Sequence, residues 1–297
     1  MLFRSALQNN TSGSYNTAVG VAALQANTTG SAGTAVGYQA LYTQTTNSNS
    51  TAVGAYALKL STGNYNTALG TSALTTNSSG ENNVALGMQA LTSNTTASNN
   101  VAVGYQAAYA NTTGTYTVAL GAQALRSNTT GDYNVGLGNG ALYTNTTGSL
   151  NTGVGTNALV SNTTGASNTA VGMYALNGNT TASNNVAVGY QAGYGNTTGA
   201  NNTVVGTGAL YTNSTSNHNT AFGYYTLRNA TGGGNTALGS QTGFNITTGI
   251  DNVFVGGEVN GYAAGLGNTT GSYNIFVGGY AGYTNTTGGQ NIAVGFQ

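Results

Sequence analysis

An all-β parallel β-solenoid, a β-roll of about seventeen 17-residue coils with no globular domain, is the fold this sequence predicts. Three observations carry it: a fixed short period, a composition hostile to helix, and apolar alternation before one recurring glycine.

The unit Asn-Thr-Ala-Val-Gly-x-x-Ala-Leu-x-x-Asn-Thr-Thr-Gly-x-x recurs along the whole chain. The glycine closing Ala-Val-Gly marks it at Gly20, Gly37, Gly54, Gly70 and onward to Gly295. Of the sixteen intervals between markers, thirteen are 17 residues, two are 16 and one is 22. A short fixed period means that each unit meets only its neighbours, so the expected object is a one-dimensional stack. The 48 Gly residues and the load of Asn and Thr disfavour helix.

Each coil reads in order. The residue before the marker is large and apolar (Val19, Val36, Leu69, Phe222), and two residues earlier stands a β-branched residue (Thr17, Val84, Val101, Ile275). Strand alternation puts both on one face, expected to be the inner one. The residue between them is nearly always Ala, and Ala18, Ala35, Ala52, Ala85, Ala102, Ala170 and Ala187 are expected to pave an outward self-association face. The marker glycine turns the chain. Ala-Leu pairs such as Ala23-Leu24 follow and offer a second inward Leu, and Asn-Thr-Thr-Gly reads as the second turn.

Stacking superposes equivalent residues, which predicts two Asn ladders. One comprises Asn16, Asn66, Asn83, Asn100, Asn134, Asn151, Asn168, Asn185 and Asn202. The other comprises Asn27, Asn77, Asn94, Asn111, Asn128, Asn145 and Asn162. Lys59, Arg126 and Arg228 share a position with Tyr42, Tyr109, Tyr143, Tyr194 and Tyr211, which marks that file as solvent-facing and a candidate surface-binding file. At a strand spacing of ~4.8 Å the stack would be a rod on the order of 80 Å long.

The organisation expected is a regular solenoid over 1–256, an irregular insertion over 257–267 and terminal coils over 268–297. The insertion, including Gly257-Glu258-Val259-Asn260-Gly261, is a candidate bulge or recognition loop. The chain begins in repeat register at Ser5-Ala6-Leu7 and Gln297 falls just past a marker, so end-to-end joining or a longer parent chain is expected.

Thr34-Ala35-Val36-Gly37-Tyr38-Gln39-Ala40-Leu41 and Val186-Ala187-Val188-Gly189-Tyr190-Gln191-Ala192 resemble the repeats of bacteriophage tail-fibre-like proteins and of YadA-like trimeric adhesin heads. The resemblance implies a parallel β-roll, often trimeric, displayed outside a cell or virion as a shaft or adhesin. The unit here is longer than the autotransporter one.

Composition excludes several functions. Four basic and four acidic residues cannot make the basic stripe that nucleic acid needs. No run approaches the ~20 apolar residues of a membrane-spanning helix, and Met1-Leu2-Phe3-Arg4 opens no signal-peptide core. The single His218, the absence of Cys, and Glu81 and Asp132 three coils apart (about 14 Å) offer no catalytic pair, cofactor cradle or metal set. Gly136-Leu137-Gly138-Asn139-Gly140 looks like a nucleotide loop but is one more repeat. The Asn-x-Thr triplets match the glycosylation pattern, and sugar on the turn would supply the solubility that charge does not.

The function expected is that of a structural fibre: an extracellular filament subunit or phage-type shaft at a cell or virion surface, self-associating as a homopolymer or homotrimer. A trimeric adhesin binding cell-surface glycans through its Tyr files is the first alternative. An ice-binding solenoid is the second, weakened because the outward files expected are Ala and Tyr.

Overall fold

The structure, a computed structural model, describes residues 5–258 and 260–296. Met1, Leu2, Phe3, Arg4, Val259 and Gln297, which entered the reading of the termini and the insertion, lie outside the described residues. Seventeen three-residue strands are found among the described residues. They fall into two compact units, Met1–Leu150 and Asn151–Gln297. The first holds β1 (Thr17–Val19) through β8 (Val135–Leu137), the second β9 (Thr152–Val154) through β17 (Ile292–Val294). Each unit is a parallel β-solenoid in which every strand pairs with the next, one repeat along: Val101↔Val118 in the first unit, Val186↔Thr203 in the second.

The strand is short because the marker ends it. The marker glycines have φ between 124° and 147°, a region open essentially to Gly alone. Space forbids a side chain as well, since a Cβ on Gly37 would lie 2.6 Å from the Gly54 carbonyl oxygen. Beyond the strands the coils remain bonded, at the Leu (Leu41 N–H to Ala57 O, 3.0 Å) and at the turn (Thr28 N–H to Thr45 O, 2.8 Å). Leu41, Leu58 and Leu91 adopt φ near 50°, which costs about 1–2 kcal/mol per residue and turns the Leu side chain inward, where each is fully buried.

The strand faces are the reverse of the sequence expectation. Ala35, Ala52, Ala85, Ala102, Ala170 and Ala187 are fully buried, and Ala18 is half-buried. They are core, not an outward self-association face. Outside lie the residues expected within, with Val19 58 %, Leu69 47 % and Phe222 53 % exposed. The cause is the narrow interior, which the Leu across the coil already fills. The last coils show the trade: Phe254 and Phe276 replace Ala and are buried, and the Leu positions facing them become Gly243, Gly265 and Gly282. A Cβ on Gly265 would sit 2.6 Å from the Phe254 ring.

The second buried layer is amide. Asn94 Nδ2 donates to Asn77 Oδ1 (2.7 Å) and to the carbonyl of Ala97 (3.0 Å). Asn111 and Asn128 repeat the pattern in the first unit, and Asn179, Asn196 and Asn213 in the second. The other file bonds main chain to side chain: Asn100 N–H donates to Asn83 Oδ1 (3.0 Å) and Asn202 N–H to Asn185 Oδ1 (2.9 Å). Faults in the repeat leave orphans. Gln44 stands where the turn Asn belongs, and its Nε2 reaches the Asn47 carbonyl (2.6 Å), leaving Asn27 Oδ1 buried without a donor.

The 22-residue interval resolves into a short insertion. Gly265 N–H donates to Ala281 O (3.0 Å), as Leu24 N–H does to Ala40 O, so the repeat is in register again before the expected boundary at 267. The five extra residues therefore lie between Gly256 and Ala264, in an interval where Glu258 accepts from Gln241 Nε2 (2.7 Å).

Two substitutions test this packing by thermal or urea unfolding. Ala102→Leu is expected to cost about 1–3 kcal/mol through overpacking, whereas Leu120→Thr, on the outer face, should stay within about 0.5 kcal/mol; the opposite order would restore the inverted strand. Gln44→Asn completes the turn ladder and should stabilise by about 1 kcal/mol.

Candidate interaction surfaces

With Ala inside, each unit presents an outward strand face three files wide. In the first unit the files run Thr17, Thr34, Thr51, Thr67, Val84; then Val19, Val36, Val53, Leu69, Leu86; then, past the marker, Val21, Tyr38, Ala55, Thr71, Met88. Exposed members include Val19, Tyr38, Met88, Val103, Tyr105 and Leu120. The second unit repeats the arrangement, with Val171, Met173, Val188, Tyr190, Phe222 and Leu238 exposed. No charged residue stands on these files among the described residues.

The Tyr file lies elsewhere on the coil and carries the cations. Arg126 lies between Tyr109 (5.4 Å to the ring centroid) and Tyr143 (5.6 Å), residues of the coils on either side. Arg228 lies over Tyr211 at 5.0 Å, over Tyr225 at 5.1 Å and over Phe244 at 5.8 Å. Tyr194 stacks on Tyr211, with centroids 5.0 Å apart. Tyr42, Tyr109, Tyr143, Tyr194 and Tyr211 are all half-buried. Their ring faces are spent largely within the file, on guanidinium or on each other, where each cation–π contact contributes about 0.5–1 kcal/mol. Tyr224, on the outward face, has its phenol pushed above the ordinary tyrosine value by its hydrogen bond with Tyr225 and then by desolvation.

Two of the acids belong to a ladder that the sequence reading did not find. Main-chain N–H groups at one turn position donate to the side-chain oxygen a coil further on: Ser14 to Ser31 Oγ (3.0 Å), Ser31 to Ser48 Oγ (3.0 Å), Thr115 to Asp132 Oδ1 (2.7 Å). Asn64 Nδ2 donates to Glu81 Oε1 (3.0 Å) in the same file. Glu81 and Asp132 are thus acceptors in a structural file whose commonest residue is Ser. The clue in the sequence was that shared position, where Ser, Asn, Asp and Glu all offer an oxygen.

His218 and Asp251 line an open groove of about 530 Å³ beside Gly233 and Gly234. Two hydroxyls line it, those of Thr215 and Ser216, and that of Ser216 donates to the Thr231 carbonyl. Among the described residues no group of three or more His, Cys, Asp or Glu could hold a metal ion. None contains a helix long and apolar enough to cross a membrane.

No family model matches the chain, and no match is found among curated proteins or solved structures.

The turn Asn residues do not suit a sugar. Asn77, Asn94, Asn111 and Asn128 are fully buried, with Nδ2 committed to two acceptors. A glycan on Nδ2 would break the ladder. Asn9, Asn49, Asn201 and Asn245 also begin acceptor triplets and are exposed. Glycopeptide mapping after expression in a glycosylating host should find sugar at such exposed positions, with Asn94 and Asn111 unmodified in folded protein.

Proposed function

We propose that this chain is a structural, fibre-forming repeat protein that extends from a cell or virion surface and associates side by side with further copies of itself through the outward Thr/Val–Val/Leu strand face. It carries out no chemistry in this reading and takes no cofactor. The observation that carries the reading is the uncharged apolar face itself. Eight strands at ~4.8 Å and about five residues of strand width offer roughly 500 Å² in one unit. Two such faces would bury about 1,000 Å², the lower bound of a specific interface, and the second unit offers a further one. Isolated monomers rarely leave apolar patches of this size uncovered.

The likeness of Thr34–Leu41 and of Val186–Ala192 to tail-fibre and trimeric-adhesin repeats agrees with this reading and suggests a shaft outside the cell. A glycan-binding adhesin is less favoured, because Arg126 covers Tyr109 and Tyr143. Ice binding gains one outward Thr rank in Thr17, Thr34, Thr51 and Thr67, but the neighbouring file contains Val, Leu and Phe and never Thr.

Analytical ultracentrifugation tests the proposal. The chain should sediment well above its 29.5 kDa mass, and the double variant Val103→Lys, Val188→Lys should shift it toward monomer, with the dissociation constant raised at least about tenfold by two unpaired charges. The far-ultraviolet circular dichroism spectrum should be unchanged, since both side chains face outward. A wild-type chain that stays monomeric at every concentration would overturn the reading, and thermal hysteresis by such a monomer would favour ice binding instead.

A further inference from the structure

Each of the three described cations lies over aromatic rings: Lys59 over Tyr56 (5.2 Å), Arg126 over Tyr109 and Tyr143, and Arg228 over Tyr211, Tyr225 and Phe244. A four-ring aromatic cluster has no such cation among the described residues. It lies in the second unit, where Tyr280 stacks on Tyr262 (4.6 Å, 28°), Tyr262 meets Tyr283 edge-on (4.5 Å, 86°), and Phe296 tilts against Tyr280 (5.1 Å). Tyr280 and Tyr283, 6.4 Å apart and inclined at 62°, bound a shallow cavity of about 260 Å³ with Gly282 and Thr284.

This cluster exists because of the insertion. Tyr262 lies within the 22-residue interval, and this irregular coil brings its ring against Tyr280 of the next. The same interval carries Glu258, an exposed carboxylate that accepts from Gln241 Nε2. Ring faces carry negative quadrupole potential, and rings inclined to one another can share one cation within about 6 Å of each centroid. A cation without N–H donors gains most, since it gives up few hydrogen bonds to water on entering. The cavity falls just below the usual range of small-molecule sites, about 300–1,000 Å³, which suits a headgroup rather than a larger ligand.

We propose that the cavity bounded by Tyr280 and Tyr283, with Tyr262 and Phe296 packed against those rings, is a binding site for a small organic cation of the quaternary ammonium class, such as a choline headgroup. The proposal does not depend on side-by-side association, because Tyr280 and Tyr283, which bound the cavity, stand outside the strand-face files.

Choline chloride and its uncharged isostere 3,3-dimethyl-1-butanol would be titrated into the full chain, with binding read by ligand-observed NMR. Choline should saturate in the millimolar range, and the isostere should bind about tenfold more weakly, the ratio that a cation–π contribution supplies. Tyr283→Leu should weaken choline about tenfold, Tyr283→Phe should keep it within about threefold, and Tyr143→Leu, in the other unit, should leave it unchanged. Equal binding of choline and isostere would overturn the proposal in favour of a plain apolar groove. So would absence of saturation, or an equal loss in Tyr143→Leu. Sedimentation of the same samples reports on association separately.

Discussion

Every side chain in this protein must be a good neighbour to its own copy one coil away. Parallel strands repeat at ~4.8 Å, and each position stacks on the same position of the next repeat. Asn satisfies that condition because one amide both donates and accepts, so Asn111 gives to Asn94 and receives from Asn128. A charge fails it. Two like charges at that spacing repel by roughly 3–4 kcal/mol at an effective dielectric of 20, which accounts for a chain with 3 % charged residues whose cations are separated by rings. Arg126 therefore stands between Tyr109 and Tyr143 rather than above another Arg.

The interior imposes the second condition. Opposite walls of a coil are so close that they share a fixed volume, held by Ala on the strand and Leu across from it. Where the strand residue grows to Phe254, the facing positions shrink to Gly243 and Gly265, and the Phe254 and Phe276 rings then stack at 5.7 Å. The Leu reaches its place only through a left-handed backbone, a conformation that Leu does not choose by itself. Stacking supplies the compensation, because every such Leu N–H that propagates the coil is bonded to the next, as from Leu74 to Ala90 O (3.0 Å).

Period, strand position, marker turn and Asn files were legible because they depend on spacing alone. Which strand face turns inward was not, because alternation fixes that Ala and Val lie on opposite sides and says nothing about which side is inside. Hydrophobicity argued for Val, and volume decided for Ala. Two signals in the sequence carried the right answer. One position swaps Thr for Val and Ile from coil to coil, as Thr67 and Val84 do, which suits a half-exposed site; and Phe in the Ala file coincides with Gly in the Leu file. The left-handed Leu and the Ser/Asp ladder were not legible in the same way, since both arise from coil geometry that only the stacked backbone defines.

A stack of equal coils offers a partner the same surface at every level, so regular files can give extended contact but no single address. Contact along the strand face therefore fits association between copies, whose own repeats match it step for step. An address requires a broken repeat. The chain breaks its period at three intervals, and the longest break places Tyr262 against Tyr280 beside a cavity. Under the two proposals, a surface regular enough for assembly and broken at its longest interval for recognition would divide the two tasks along one chain, which is the economy that a repeat fold permits and a globular core does not.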